Sequence, residues 1–304
     1  MNNLKMKKIF LFVFLMFIGH SFAQTEGYAT NSDTSKTYYK IFGKGEPLLI
    51  INGGPGMNSN GFEGMAKILA ETQETIIYDQ RGTGKSKLKD VNSKTISMKI
   101  MADDIESLRK HLKIKKWNIL GHSFGGMLAS YYATIYPNSI NKLVLSSSGG
   151  IDLTLRKTEN LIERNLSKVE KDSMNYWNDR IEKGDTSYNA ALGRGKAMAP
   201  AYVYDRKYVP IIAERLTQGN STINSLLWDD MQKINFDCSA KLKNFKNPVL
   251  IIQGKEDVIS NEIGELAHKT IPNSKLILLE HCRHYGWLDA KEKYFGEINS
   301  FLKS

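Results

Sequence analysis

The stretch that most constrains the fold of this chain is residues 117–126, Trp-Asn-Ile-Leu-Gly-His-Ser-Phe-Gly-Gly. A short apolar run, which predicts a buried strand, leads directly into Gly-x-Ser-x-Gly, and a helix-forming segment follows. In that context the pattern places a serine at the tip of a sharp strand-to-helix turn. The positions two before and two after the serine must be nearly free of side chain, and Gly121 and Gly125 meet this requirement. Ser123 is therefore the candidate nucleophile, and we expect the backbone N–H of Phe124 to face the same space.

Apolar strands alternate with amphipathic helices along most of the chain. The predicted strands are residues 37–42, 48–51, 75–78, 117–120, 142–146, 249–252 and 275–279. The predicted helices are residues 62–71, 97–112, 127–136, 261–270 and 289–302. Continuous apolar strands separated by helices are typical of parallel sheets that are buried on both faces. The sequence therefore predicts an α/β protein with a mostly parallel sheet between two helical layers, preceded by an edge hairpin or meander within residues 26–42.

The alternation is interrupted between residues 149 and 236. This segment shows helical patterns at 158–169 and 209–216, is rich in Tyr, Trp and Met, and has no convincing strand. We predict that it is a helical cap inserted over the site, although two large loops would be the simpler alternative. The core would then consist of residues 24–148 and 237–304. Residues 149–236 are called the cap segment below.

Residues 1–23 have the features of a secretory signal peptide. Three lysines precede an unbroken apolar run, and Ser-Phe-Ala at 21–23 offers small residues for cleavage. The apolar run is about half of the roughly 20 residues that a membrane-spanning helix needs. We therefore expect an exported protein, periplasmic or secreted, without stable membrane insertion after cleavage; an uncleaved N-terminal anchor is the alternative.

Charge and cysteine content exclude some classes of protein. The formal net charge of +10 falls to +7 without residues 1–23, which contain three lysines and no acid. The remaining basic residues are scattered, and their densest cluster, at 113–116, has no interleaved aromatic residues, so nucleic-acid binding is not indicated. Two cysteines, Cys238 and Cys282, do not form a disulfide framework, and whether they pair is open.

A serine hydroxyl needs a base to remove its proton and an acid to orient that base. Asp257 and His284 each follow a predicted strand, so both should lie at the same sheet edge as Ser123. We predict His284 as the general base and Asp257 as its orienting acid. His281 is the competing base, although it follows its strand so closely that it could be buried support, and Glu256 is the competing acid.

Two glycine-rich loops require interpretation. Asn-Gly-Gly-Pro-Gly at 52–56 follows a strand and suits an oxyanion hole, with Gly54 as the expected donor beside Phe124 and Gly53 as the alternative. Asp-Gln-Arg-Gly-Thr-Gly-Lys-Ser at 79–86 ends like a phosphate-binding loop but begins with Asp where such a loop requires Gly. We interpret it as a structural loop near the site.

Three potential metal ligands, His281, Cys282 and His284, lie on one short segment without a fourth elsewhere, so no metal site is predicted.

Taken together, these motifs resemble the α/β-hydrolase superfamily and, more narrowly, the proline iminopeptidase family. The resemblance rests on the loops at 52–56 and 79–86, the Gly-x-Ser-x-Gly motif, Asp257, and His-Tyr-Gly-Trp-Leu-Asp at 284–289. It implies a serine exopeptidase that releases an N-terminal residue, often proline, with a helical cap over the pocket and no cofactor. Its partners would be short peptides or other small molecules.

The sequence departs from that family at two places. Asn52 stands where the family usually has His, and the family's Trp-rich cap segment followed by Glu, which binds the substrate amine, is matched only loosely by residues 176–179. An ammonium in a closed pocket needs a negative partner. The cap segment offers five candidate carboxylates, namely Asp179, Glu182, Glu214, Asp229 and Asp230. A carboxylesterase or lactonase with the same triad therefore remains an alternative, as does a catalytically silent binding protein of this fold.

Overall fold

The computed structural model of the protein describes residues 24–158 and 161–304. The predicted signal peptide, residues 1–23, lies outside these described residues. Within them, eight strands form one sheet in the order β1-β2-β4-β3-β5-β6-β7-β8. The strands are β1 (Thr25–Thr30), β2 (Lys36–Gly43), β3 (Glu46–Ile51), β4 (Gln73–Tyr78), β5 (Trp117–His122), β6 (Ile140–Ser146), β7 (Val249–Gly254) and β8 (Ser274–Leu279). Strands β1 and β2 form the antiparallel edge, and β4, β3, β5, β6, β7 and β8 are parallel.

Helices connect the parallel strands and cover the sheet. They are α1 (Glu63–Leu69), α2 (Met98–His111), α3 (Phe124–Ile135), α4 (Leu161–Arg164), α5 (Lys168–Glu182), α6 (Tyr188–Tyr202), α7 (Val209–Leu216), α8 (Ser221–Lys233), α9 (Ser239–Leu242), α10 (Asn261–Thr270), α11 (Gly286–Asp289) and α12 (Lys291–Lys303). Helices α4 to α8 all lie between β6 and β7. Within the described residues, no helix is long and apolar enough to cross a membrane.

The alternation of side chains along each strand explains the two helical layers. On β3, Leu48 and Ile50 belong to the apolar cluster that α1 and α12 cover, whereas Leu49 and Ile51 belong to the cluster of α2 and α3. Since successive strand residues point to opposite faces, a fully apolar strand requires cover on both sides. The predicted α/β-hydrolase fold, with a mostly parallel sheet and helices on both faces, is confirmed.

One helix prediction is wrong in detail. The single helix expected at 158–169 is instead α4 followed by a break, because Ser167 adopts an extended backbone and caps the start of α5. Its Oγ accepts from Glu170 N, while the Glu170 carboxylate accepts from Ser167 N at 2.7 Å. This reciprocal capping box begins a new helix. The closing helix, expected at 289–302, is α12, which begins at Lys291 and is preceded by the separate short helix α11.

Parallel strands bring their carboxyl ends to one edge of the sheet. The loops that follow β3, β5, β7 and β8 therefore meet there, although they are far apart in sequence. Ligand sites of open α/β sheets form at this edge. The candidate site residues all lie on these four loops.

Candidate active site

Ser123 lies in a sharp turn between β5 and α3, with backbone angles φ 56° and ψ −122°. A non-glycine residue with positive φ is strained and persists only where its surroundings hold it. Here Ser123 N donates to Ser146 O at 3.0 Å, and Ser123 O accepts from Gly126 N and Gly149 N at 2.9 and 3.1 Å. Strand β6, the loop that follows it and the first turn of α3 thus hold the nucleophile candidate in place.

The two flanking glycines are required by close backbone contacts. A Cβ at Gly121 would lie 2.4 Å from Gly125 O, and a Cβ at Gly125 would lie 2.1 Å from Ile51 O. Both contacts involve backbone atoms, which cannot move aside as a flexible side chain can. The Gly-x-Ser-x-Gly pattern therefore has a steric cause in this structure.

Asp257 and His284 form a buried pair at the ends of β7 and β8. Nδ1 of His284 lies 2.8 Å from Oδ1 of Asp257, and the two residues are 3% and 2% exposed. Asp257 Oδ1 also accepts from Ile259 N at 3.1 Å, which fixes the carboxylate. A carboxylate on Nδ1 fixes the ring orientation and leaves Nε2 free to accept a proton. His284 N donates to Tyr202 O at 3.0 Å, so the cap segment also holds this loop.

The competing acid and base have other partners. His281 is exposed, contrary to the buried position considered for it, and its Nδ1 lies 3.1 Å from the hydroxyl of Tyr204. Glu256 accepts from Cys282 N at 3.1 Å and thereby holds the loop that carries His284. Neither competitor lines the cavity at Ser123.

Ser123, His284, Gly54 and Phe124 line one cavity of about 460 Å³. The structure thus brings together the predicted nucleophile, base and both predicted oxyanion donors. No hydrogen bond joins Ser123 Oγ to the His284 ring within the described residues, and in unliganded sites such contacts are often long. The opposite wall comes mainly from the cap segment and the loop after β7; it consists of Leu155, Thr158, Leu161, Ile162, Tyr202, Asn224, Trp228, Val258 and Ile259.

The two oxyanion candidates have different backbone settings. Phe124 is the first residue of α3, where the helix dipole and the free N–H groups favour a developing negative charge. Gly54 has φ 153°, a conformation that a side chain rarely adopts. The alternative donor, Gly53, packs directly on the nucleophile, because a Cβ there would lie 2.9 Å from Ser123 Cβ.

The loop at 79–86 contacts the loop at 52–56 and has a structural role next to the site. The Asp79 carboxylate accepts from Ser59 N at 2.9 Å and from Lys85 N at 2.8 Å, and a Cβ at Gly84 would lie 2.1 Å from its Oδ2. The carboxylate thus occupies the place that a phosphate would need. Gln80 Nε2 donates to Asn52 O at 2.7 Å and thereby joins the loop at 79–86 to the loop at 52–56, which is called the oxyanion loop below.

Behind His284 lies a buried group of rings. The His122 ring centroid is 4.6 Å from that of His284 and 4.7 Å from that of Trp287. Burial first, then the charges of His284 and Arg215, hold the pKa of His122 well below its usual value. His122 therefore stays neutral at physiological pH and packs beneath the base without adding a second positive charge.

The thiols and potential metal ligands make no further site. Cys238 and Cys282 are both free and buried, and burial raises the pKa of Cys238 to about 12. Among the residues that the structure describes, no group of three or more His, Cys, Asp or Glu side chains is arranged to hold a metal ion.

Comparison with known proteins agrees with this fold. The family model described as "alpha/beta hydrolase fold" matches residues 46–291. The chain therefore belongs to the α/β-hydrolase fold family, and it is a hydrolase.

Within that family the chain resembles the proline iminopeptidases. It is 30% identical to the proline iminopeptidase of Clostridioides difficile over 294 residues, which cover 92% of this chain and 98% of the relative. It is 27% identical to that of Heyndrickxia coagulans, over 92% of this chain and 99% of the relative. A solved esterase from Exiguobacterium antarcticum superposes with a TM-score of 0.70 at 22% identity, over 92% of this chain and 100% of that one. This last likeness shows the fold alone.

Sequence reasoning missed several residues at the site. Tyr202, Asn224 and Trp228 enter the cavity wall from helices of the cap segment, and Arg215 reaches the oxyanion loop from α7. Aromatic enrichment indicated a pocket in general, but not which rings face it. No local pattern marks these contacts.

Proposed function

We propose that this hydrolase is a serine aminopeptidase that releases the N-terminal residue of short peptides through an acyl-enzyme on Ser123. The observation that carries the proposal is one cavity lined by Ser123 and His284, with the His284 ring hydrogen-bonded to Asp257. Gly54 and Phe124 line the same cavity, where an oxyanion would form.

The proposed reaction has two halves. Ser123 Oγ attacks the scissile carbonyl carbon while His284 Nε2 takes the hydroxyl proton, and Gly54 N–H and Phe124 N–H stabilise the oxyanion. When the C–N bond breaks, His284 gives this proton to the leaving amine. Water then attacks the acyl-enzyme, His284 takes its proton, and the proton returns to Ser123 Oγ as the ester bond breaks. Asp257 orients the ring throughout and stabilises the imidazolium.

The substrate class rests on the similarity to enzymes named proline iminopeptidase. An aminopeptidase also needs a carboxylate for the substrate ammonium. Among the five candidates, only Asp229 lines a cavity that adjoins the one at Ser123. The two cavities share Gly54, Tyr202, Asn224 and Trp228 as lining residues. We propose Asp229 as the amine-binding residue.

One observation favours a second candidate function, a carboxylesterase or lactonase. In the described part of the chain, no acidic side chain lines the cavity at Ser123. Arg156 and Arg194 line the adjoining cavity together with Asp229, so its lining carries two positive charges and one negative charge. An uncharged acyl group would fit such surroundings without a charged partner.

A substrate comparison tests the choice. We expect the enzyme to hydrolyse proline p-nitroanilide and to lose at least about 10³-fold in kcat/KM in Ser123→Ala, as is typical when a nucleophile is removed. Ser93→Ala, which changes an exposed loop serine, is the matched control and should keep wild-type activity. Turnover of p-nitrophenyl butyrate without any of proline p-nitroanilide would contradict the aminopeptidase proposal and favour the esterase.

We also propose that the enzyme is exported. The signal-like residues 1–23 support a mature enzyme that acts outside the cytoplasm on short peptides or other small molecules. The scattered basic residues give no support for a nucleic-acid partner.

A further inference from the structure

Two side chains hold the carbonyl group of the oxyanion loop. Gly53 O accepts from Asn52 Nδ2 at 2.9 Å and lies 3.5 Å from Arg215 Nη2, which also donates to it. Asn52 is the neighbouring residue, whereas Arg215 belongs to α7 in the cap segment, 162 residues away along the chain. The cap segment therefore contacts the oxyanion loop directly.

Arg215 is an unusual residue to find in this place. It is 5% exposed, and it forms no ion pair with any carboxylate of residues 24–158 and 161–304. Its Nε and Nη1 have no hydrogen-bond partner of good geometry within the described chain, although Arg215 lies close enough to the Tyr285 hydroxyl to oppose, by its charge and a hydrogen bond, the rise that burial causes in the pKa of that phenol. Burying an ion costs several kcal/mol, so a buried guanidinium without a carboxylate partner is costly for folding. A residue of this kind is better explained by function than by stability.

The surroundings are shaped to admit this guanidinium. Its central carbon lies 4.7 Å from the ring centroid of Phe62, a cation–π distance. A Cβ at Gly61 would lie 2.4 Å from Nη1 and 3.1 Å from Cδ of Arg215, so any larger residue at 61 would displace the side chain. Phe62 and Gly61 thus hold Arg215 in one position against Gly53.

The geometry of the peptide unit gives this contact a consequence for catalysis. In a trans peptide the carbonyl of one residue and the N–H of the next point in opposite directions. Donors that hold Gly53 O on one side therefore fix the direction of Gly54 N–H on the other. Glycine at 54 provides no side chain to restrict rotation of this peptide, so the restraint has to come from the side chains that hold Gly53 O.

We propose that Arg215 is a positioning residue, which orients the Gly53–Gly54 peptide so that Gly54 N–H serves as an oxyanion donor. This inference rests on the proposed acyl-enzyme function, but it is independent of whether the substrate is a peptide or an ester. Arg215 touches neither the substrate nor the reacting atoms in this account. By donating to Gly53 O, it lets the cap segment influence how well Gly54 N–H stabilises the oxyanion of the transition state.

The test measures turnover of the substrate that the wild type hydrolyses, proline p-nitroanilide or p-nitrophenyl butyrate, in Arg215→Met, with rates divided by the number of active sites titrated to completion with a fluorophosphonate. Complete loss of an oxyanion donor lowers kcat about 10²–10³-fold, and because Asn52 remains we expect a smaller loss, about 10-fold, at nearly unchanged KM. A boronic acid analogue of proline, whose tetrahedral adduct with Ser123 carries the oxyanion, should lose affinity by a similar factor. Arg215→Lys, which keeps one donor, should restore part of kcat.

A second variant perturbs the contact without deleting the arginine. Gly61→Ala should displace the guanidinium and lower kcat per titrated site in the same way, whereas Gly64→Ala, whose added methyl group meets nothing within 4 Å, is the matched control. If Arg215 is only structural, the variants will contain fewer active sites, but each site will retain wild-type kcat. Wild-type kcat per site in both Arg215→Met and Gly61→Ala would overturn the proposal. Undiminished hydrolysis by Ser123→Ala would instead overturn the acyl-enzyme function itself.

Discussion

At the scale of single residues, a cap carboxylate can bind a substrate amine only if it lies near the cavity at Ser123. The cap segment has five candidate carboxylates, but Asp179 pairs with Lys183 on the surface and Asp230 accepts from Met98 N at 2.8 Å. Glu214 accepts from the Tyr188 hydroxyl at 2.5 Å and lines a separate cavity, which does not contain Ser123. Glu182 is exposed and lines none of the described cavities. Asp229 is left as the candidate partner of a substrate amine.

Asp229→Asn should therefore weaken binding of proline p-nitroanilide. Because Asp229 is exposed, we expect an effect of at most about 1 kcal/mol, which corresponds to roughly a fivefold rise in KM with little change in kcat. Steady-state kinetics would measure it, and Asp179→Asn is the matched control, since it removes another cap carboxylate outside the cavities. An unchanged or lower KM in Asp229→Asn would show that Arg156 and Arg194 dominate the local field instead.

At the scale of elements, one arginine joins three parts of the fold. Arg81, in the loop after β4, forms ion pairs with Asp104 on α2 and with Asp33 between β1 and β2. Burial raises the pKa of Asp104 to about 6 against the opposing effect of Arg81, whereas the hydrogen bond from Arg81 lowers that of Asp33 to about 2. The Arg81 network therefore holds the loop whose Gln80 contacts the oxyanion loop.

Arg81→Ala should destabilise the fold because it leaves Asp104 buried without its partner. We expect a loss of about 3–5 kcal/mol in the free energy of unfolding at pH 8, the usual result of breaking a buried ion pair. The loss should shrink as the pH falls. Without Arg81 the pKa of Asp104 rises further above its value in the unfolded chain, so protonation of Asp104 on acidification stabilises the folded variant. In the wild type, the stabilising contribution of Asp33 is lost as the pH falls from about 4 towards 2, because its pKa in the folded state is about 2.

Urea unfolding at pH 8, 7 and 5.5 would measure this difference. Glu280→Gln, which removes the exposed partner of Lys255, is the control and should leave the free energy of unfolding nearly unchanged. The account of the Arg81 network is contradicted if Arg81→Ala matches wild type at pH 8, or if its deficit grows on acidification.

At the scale of the whole molecule, the sheet could be predicted from sequence because its signals are local. Apolar strands and helix periodicity gave the parallel sheet, and the rule that parallel strands end at one edge placed Ser123, Asp257 and His284 on neighbouring loops. The contact of Arg215 with Gly53 could not be predicted, since it spans 162 residues and depends on how α7 packs on the core. The helix break at Ser167 could have been predicted from the Ser-x-x-Glu motif at 167–170, which is typical of a helix start, but the apolar periodicity favoured one continuous helix.

Activation of Ser123 by His284 can be measured by the rate and site of fluorophosphonate labelling, with the modified residue identified by peptide mass spectrometry. The account predicts modification of Ser123 alone, with a labelling rate at least about 10³-fold lower in His284→Ala, since the base no longer takes the hydroxyl proton. His281→Ala, which changes the neighbouring exposed histidine, should label at the wild-type rate. Labelling of another residue, or an undiminished rate in His284→Ala, would contradict the account.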